Sequence, residues 1–175
     1  MVMLMEDNKV IKIIKELIPY VVILIIVLVL RTYVFTPIKV NGTSMVPTLD
    51  GGEFMLLTKY NKNDLNRDDI VIVTIDHGDA GKEDIIKRII ALPGETISCK
   101  DGIIYVNSKK REEKYGEGVT NDFEKIKLGK DEYFVLGDNR ANSLDSSEFG
   151  PVKKSQIKGK ADFVVFPFDE FGKIE

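Results

Sequence analysis

The pattern of apolar and polar positions divides the chain into two unlike stretches. From Leu17 to Leu30 it reads LIPYVVILIIVLVL, fourteen consecutive uncharged positions with no polar face. Arg31-Thr32-Tyr33-Val34-Phe35 extends the run to nineteen, about the length that spans hydrocarbon as a helix. A helix apolar all round suits lipid better than the surface of a soluble domain. Pro19 falls near the start of the run, where a missing N–H costs a helix little. Pro37 reads as the helix stop, because it biases Thr36 away from helical geometry. Arg31 has a stem long enough to snorkel, and Tyr33 and Phe35 suit a membrane interface. A cleaved signal peptide would have a shorter apolar core and small residues at its cleavage site, and Thr32 to Ile38 holds no Ala-x-Ala pattern. The run is therefore read as an uncleaved anchor. Lys9, Lys12 and Lys15 precede it, against Arg31 and Lys39 behind, which favours a cytoplasmic N-terminus. The expected organisation is a cytoplasmic N-terminus over 1–16, a transmembrane anchor over 17–35 and an extracytoplasmic domain over 36–175.

Beyond the anchor, short β-rich runs alternate with turn residues. Residues 53–58, 69–75, 83–90, 96–100, 103–107, 132–136 and 161–166 read as strands. Asp101-Gly102 joins two of them as a two-residue hairpin. Residues 108–122 are charged and contain glycine, so they read as a mobile loop, with Lys109 to Lys114 as a solvated face. The expected fold is mostly β, one domain behind one transmembrane helix. About 140 residues are enough for a real core.

Composition changes this picture mainly by exclusion. Lys and Arg number 25 against 28 for Asp and Glu, which gives no basic face for nucleic acid. A single cysteine, Cys99, leaves no intramolecular disulfide and no multi-cysteine metal site. A single histidine, His77, leaves no site built on two imidazoles. No metal and no cofactor are expected.

Two residues carry candidate chemistry. Ser44 lies nine positions beyond Phe35, at most about 30 Å of extended chain, so any reaction at its hydroxyl happens near a membrane surface. A serine needs a base. His77 sits in the polar loop Asp76-His77-Gly78-Asp79, which reads as solvated. Lysine can replace histidine if its pKa falls toward neutrality. In Ile85-Ile86-Lys87-Arg88-Ile89, strand alternation sets Ile85, Lys87 and Ile89 on one face and Arg88 on the other. If the first face is inward, burial lowers the pKa of Lys87; if Ile86 and Ile90 face the core, Lys87 is an ordinary surface lysine. Alternation leaves both open. Ser44 also has a plain reading, as part of the turn Asn41-Gly42-Thr43-Ser44. Met45, Val46 and Pro47 would put apolar groups beside its hydroxyl, a patch suited to lipid or an apolar substrate. Gly137-Asp138-Asn139-Arg140 reads as a turn with a local Asp/Arg pair.

Several segments together resemble bacterial type I signal peptidases of the Gram-positive type, membrane-anchored serine proteases with a Ser/Lys dyad. Ser44-Met45-Val46-Pro47-Thr48-Leu49 is similar to the nucleophile motif of that family, Ser-Met-x-Pro-Thr-Leu. Asp69-Ile70-Val71-Ile72-Val73 resembles the next strand motif, and Lys87-Arg88-Ile89-Ile90-Ala91-Leu92-Pro93-Gly94-Glu95 the base-bearing one. Gly137 to Ser146, GDNRANSLDS, resembles the last. The resemblance implies a signal-peptidase-like β domain, Ser44 as nucleophile and Lys87 as general base. It further implies that Ser143 hydrogen-bonds and orients the lysine amine, that Asp138, Arg140 and Asp145 support the site, and that the Ser44 N–H serves an oxyanion hole. Substrates would be exported preproteins cut after small residues in an Ala-x-Ala pattern, at the outer face of the cell membrane and against its lipid. No nucleic-acid partner is implied, and the oligomeric state is open. Two positions depart from the family: Ser147 stands where arginine is usual, and Gly42 where some members carry a hydroxyl. The short span from Glu95 to Gly137 leaves no room for the extra domain of larger members. Two other readings compete: a self-cleaving Ser/Lys protease similar to repressor-type proteins, which are soluble, and a membrane-tethered β module that binds a partner without catalysis.

Overall fold

The computed structural model describes the backbone of residues 2–59 and 64–174, with side chains from Ile11 onward apart from Asp162. Lys9, one of the three lysines behind the expected orientation, lies outside the described side chains. The chain divides into two compact units, Met1–Phe35 and Thr36–Glu175.

The first unit is one helix, α1 (Val2–Val29), whose last turn widens to π-helix over Leu30–Val34. Its stretch Ile11–Val34 buries none of its side chains and has the length and composition to cross a membrane. At 1.5 Å per residue, those 24 residues span about 36 Å. Two expectations are corrected. The helix starts well before Leu17, so Pro19 lies inside it rather than near its start and removes an internal hydrogen bond. The helix also ends before proline acts as a stop. Phe35 is already extended (φ −129°, ψ 139°), and Pro37 belongs to strand β1 (Phe35–Lys39). That strand lies at an edge of its sheet, where a missing N–H breaks no ladder.

The second unit is built on two sheets. The larger contains β1, β2 (Phe54–Thr58), β3 (Ile70–Asp76), β4 (Lys82–Ala91), β9 (Glu132–Leu136), β10 (Val152–Lys153), β11 (Ile157–Phe166) and β12 (Gly172–Lys173). Its order is β1-β2-β11-β3-β4-β9-β10, with β12 also on β11. The smaller runs β7-β6-β5-β8, from β5 (Thr96–Lys100), β6 (Ile103–Val106), β7 (Lys109–Lys110) and β8 (Phe123–Lys127). The seven strands expected from the sequence all form, within a few residues at their ends. Asp101 and Gly102 both take positive φ (53° and 72°), as the primed turn of a two-residue hairpin requires.

The central strands explain their own composition. In β3, Ile70 and Ile72 join Val40, Met45, Met55 and Leu57 in one core. Val71, Val73 and Ile75 join Ile89, Val135 and Ile157 on the opposite face. A strand buried on both faces needs an unbroken apolar run rather than alternation. A third core, around Ile90, Leu136 and Phe134, fills the space between β4 and β9 and the small sheet. Strand β4 pairs with β3 along Lys82–Arg88 but with β9 only at Arg88, Ile89 and Ala91. Among the described residues, no strand therefore pairs with the β9-side edge of β4 from Lys82 to Lys87.

Candidate active site

Ser44 is held by what surrounds it in sequence. The segment is a tight turn, closed by Val46 N donating to the Thr43 carbonyl (3.3 Å) and Leu49 N to the Met45 carbonyl (3.0 Å). Met45 and Leu49 are both buried in the first core. This corrects the expected apolar patch at one member: Met45 is buried in the core and ties the turn to the sheet, while Val46 and Ser44 are half-buried and Pro47 is exposed. The Ser44 carbonyl accepts from the Asn139 N–H (3.0 Å), and Asn139 Nδ2 donates to the Thr43 carbonyl (3.1 Å). Residues 43–44 and the turn after β9 are thus stitched together.

Of the two registers open for Lys87, the structure takes the inward one. Lys87 is 3% exposed, between the core residues Ile85 and Ile89. Its Nζ donates to Ser44 Oγ (2.8 Å) and to the Ile86 carbonyl (3.0 Å). Burial pushes its pKa from the ordinary 10.5 down to about 8, against a smaller upward pull from Asp145, Glu83 and Asp138. A lysine so placed is neutral often enough near physiological pH to take a proton. His77 is exposed and lies 3.2 Å from Glu83 Oε2. Cys99 is buried, and burial pushes its thiol up to about 11, so it is a poor nucleophile.

The supporting residues divide by what they touch. Asp138 is fully buried, and the local pair expected with Arg140 does not form. Its partner is Arg88, which donates from Nε to Oδ1 (2.9 Å) and from Nη2 to Oδ2 (2.7 Å). Thr48 Oγ1 donates to the same carboxylate at 2.5 Å. Arg88 does leave β4 on the face opposite Lys87, but it is 2% exposed, because both faces of this strand are covered. Asp145 caps the short helix α2 (Ser146–Phe149) and accepts from the Gly137 N–H at 2.9 Å. Where arginine was expected beside it, Ser147 donates to Asp145 Oδ1 from both its N–H (3.1 Å) and its hydroxyl (2.8 Å). The missing cation is thus replaced by two neutral donors. Arg140 donates from Nε to the Gly137 carbonyl (2.9 Å) and from its terminal nitrogens to Glu113.

Ser143 differs from its expected role. Its hydroxyl is buried and makes no hydrogen bond, to Lys87 or to anything else described. It packs where a Cβ on Gly137 would meet Ser143 Oγ and the Ser44 carbonyl, so residue 137 must be glycine for the two loops to close. The charged loop also differs from expectation. Arg111 pairs with Asp68, Glu113 with Arg140, and Glu117 bridges to Asn139, so 111–117 is tied down rather than solvated throughout. Charge alone hid this, since Arg111 and Glu113 each find a partner distant in sequence as well as each other.

A cleft of about 510 Å³ opens over the pair, lined by Asn41 to Ser44 on one side, Glu83 to Lys87 on the other, and Asn142 and Leu144. Its floor includes the unpaired edge of β4.

Comparison with known proteins gives a consistent result. A family model described as signal peptidase, peptidase S26, matches residues 12–166. Signal peptidase I T of Bacillus subtilis (strain 168) is 39% identical, over 86% of this chain and 83% of that protein. Signal peptidase I of Bacillus caldolyticus is 39% identical, over 87% of this chain and 91% of its own. Among solved structures, a signal peptidase I from Enterococcus faecalis V583 shares 31% identity, covering 55% of this chain and 96% of that one, with a TM-score of 0.47.

Proposed function

The chain belongs to the signal peptidase family, peptidase S26, and on that premise we propose that it cleaves preproteins with Ser44 as nucleophile and Lys87 as general base. As a family member it is a hydrolase that removes signal peptides. The observation that carries the finer reading is the 2.8 Å contact between Lys87 Nζ and Ser44 Oγ, made by an amine whose pKa burial lowers to about 8.

In its neutral form Lys87 accepts the hydroxyl proton while Ser44 Oγ attacks the scissile carbonyl. The developing oxyanion takes a hydrogen bond from the Ser44 N–H; Gly42, exposed and without a side chain, offers no hydroxyl to help. The Lys87 ammonium then returns its proton to the leaving amine, and the neutral amine activates water against the acyl-enzyme. Asp138, Arg140 and Asp145 hold the loops that frame this chemistry. Ser143, whose buried hydroxyl makes no hydrogen bond, would orient the amine only by leaving the arrangement seen here.

An extended substrate would add as a strand along the open edge of β4, with main-chain bonds supplying affinity. Small side chains beside the cut would fit where the Ser44 turn approaches β4, which is the basis for cleavage after an Ala-x-Ala pattern. The helix of α1 anchors the enzyme in the cell membrane, its N-terminus cytoplasmic and residues 36–175 outside. This places the site where preproteins emerge.

The test is cleavage of a preprotein in detergent by three single variants. Ser44→Ala and Lys87→Ala are expected to lose activity entirely, and His77→Ala to keep it. Full activity in Lys87→Ala would sink the dyad.

A further inference from the structure

The segment 111–117 enters neither the fold's cores nor the dyad, yet its bonds converge on the turn that holds the nucleophile. Glu113 accepts from both terminal nitrogens of Arg140, one at 2.8 Å, and the Arg140 Nε reaches the Gly137 carbonyl. Glu117 N donates to the Asp138 carbonyl (2.8 Å), and the Glu117 carbonyl accepts from Arg140 N (2.9 Å). Between these, the Arg88 guanidinium lies 3.7 Å from the centre of the Tyr115 ring. That ring covers the face of a cation whose edge is spent on Asp138. A Cβ on Gly116 would come within 2.5–2.8 Å of the Arg140 guanidinium, so a side chain there would push the guanidinium from its place. On its far side the same turn holds the Ser44 carbonyl through Asn139 N.

We propose that residues 113–117 form a positioning clamp for the nucleophile, with Glu113 and Tyr115 as its working side chains. The proposal rests on the Ser44/Lys87 reading and extends it. Glu117 holds two backbone groups of residues 138–140 and Ser44 holds a third, Asn139 N, while the Asn139 carbonyl accepts from Asn142 N within the turn. Loosening the first two lets the third drift, and with it the distance from Ser44 Oγ to Lys87. An error of about 1 Å there costs up to about a hundredfold in rate while leaving the substrate groove on β4 untouched. Glu113 and Tyr115 are positioning residues, since neither is placed to touch substrate. The two ends of the clamp act differently. Glu113 fixes Arg140 by charge and geometry, whereas Tyr115 needs only its ring face.

The experiment is steady-state cleavage of a preprotein by the full chain in detergent, with thermal midpoints measured alongside. Glu113→Gln, Tyr115→Leu and Gly116→Ala are each expected to lower kcat about ten- to a hundredfold, leave KM within about twofold, and keep the wild-type unfolding midpoint to within a few degrees. Tyr115→Phe, which keeps the ring, is expected to retain wild-type kcat. Unchanged kcat in all three damaging variants overturns the clamp. So does a loss of kcat that tracks the fall in midpoint and appears equally in Tyr115→Phe, because that marks general destabilisation. Failure of the underlying reading shows separately, as residual cleavage by Ser44→Ala or Lys87→Ala in the same assay.

Discussion

At the scale of single residues, the proposed chemistry turns on one lysine. Lys87 sits where an ammonium is poorly solvated, and the ordinary amine value of 10.5 falls to about 8 through burial. The nearby carboxylates Asp145, Glu83 and Asp138 oppose the shift but do not cancel it. Only the neutral amine is a base, so its fraction grows as pH rises toward 8 and levels off above. The acid limb of kcat/KM is therefore expected to have its midpoint near pH 8, with activity falling about tenfold per pH unit below it. A pH–rate profile on a peptide substrate measures this, and a limb still climbing past pH 10 would mean the lysine is not desolvated during catalysis. Ser147 makes a smaller point at the same scale. Two donors from one serine satisfy the Asp145 oxygen that a guanidinium was expected to hold, so a departure from the family pattern leaves no buried acceptor bare.

At the scale of elements, the site is a junction between a strand and two loops. Strand β4 supplies Lys87 to one face and Arg88 to the other, and Arg88 crosses to Asp138 in the loop after β9. This pair is buried on both sides, so removing one partner strands a charge in the interior. Asp138→Leu is expected to destabilise the protein by about 3–5 kcal/mol, read from chemical denaturation. The double variant Asp138→Leu with Arg88→Met, which removes both charges, should recover much of that loss. A double variant as unstable as the single would show that the pair matters for its shape rather than its charges. The same element logic explains the misread loop. The run Arg111-Glu112-Glu113-Lys114 looks solvated as a sequence, but Arg111 and Glu113 find Asp68 and Arg140, some 43 and 27 positions away. No local pattern encodes such partners.

At the scale of the whole molecule, the chain is two compact units joined at Phe35 and Thr36. Among the described residues, the three hydrophobic cores lie within the second unit, as do Ser44, Lys87 and the hydrogen bonds of Lys87. A chain beginning at Thr36 is therefore expected to fold alone, with a thermal midpoint within a few degrees of the full protein, and to keep the pH 8 limb on a soluble peptide. An unfolded fragment by circular dichroism would show that the helix contributes to the core. Much of this architecture was legible beforehand. A membrane-length apolar helix and a β domain follow from hydrophobic period alone, because water and lipid sort side chains before any long-range contact forms. The Asp101-Gly102 hairpin and the strand around Lys87 follow from turn chemistry and alternation, which are local. Whether Lys87 faced in or out could not be read, because β4 is buried on both faces and alternation then carries no sign. The partner of Asp138, the anchoring role of Met45, the orphaned hydroxyl of Ser143 and the clamp at 113–117 were likewise hidden. The Asp138–Arg88 pair and the ties at 113–117 join residues tens of positions apart, and only the closing of the sheets decides which of many equivalent charges and side chains come within reach.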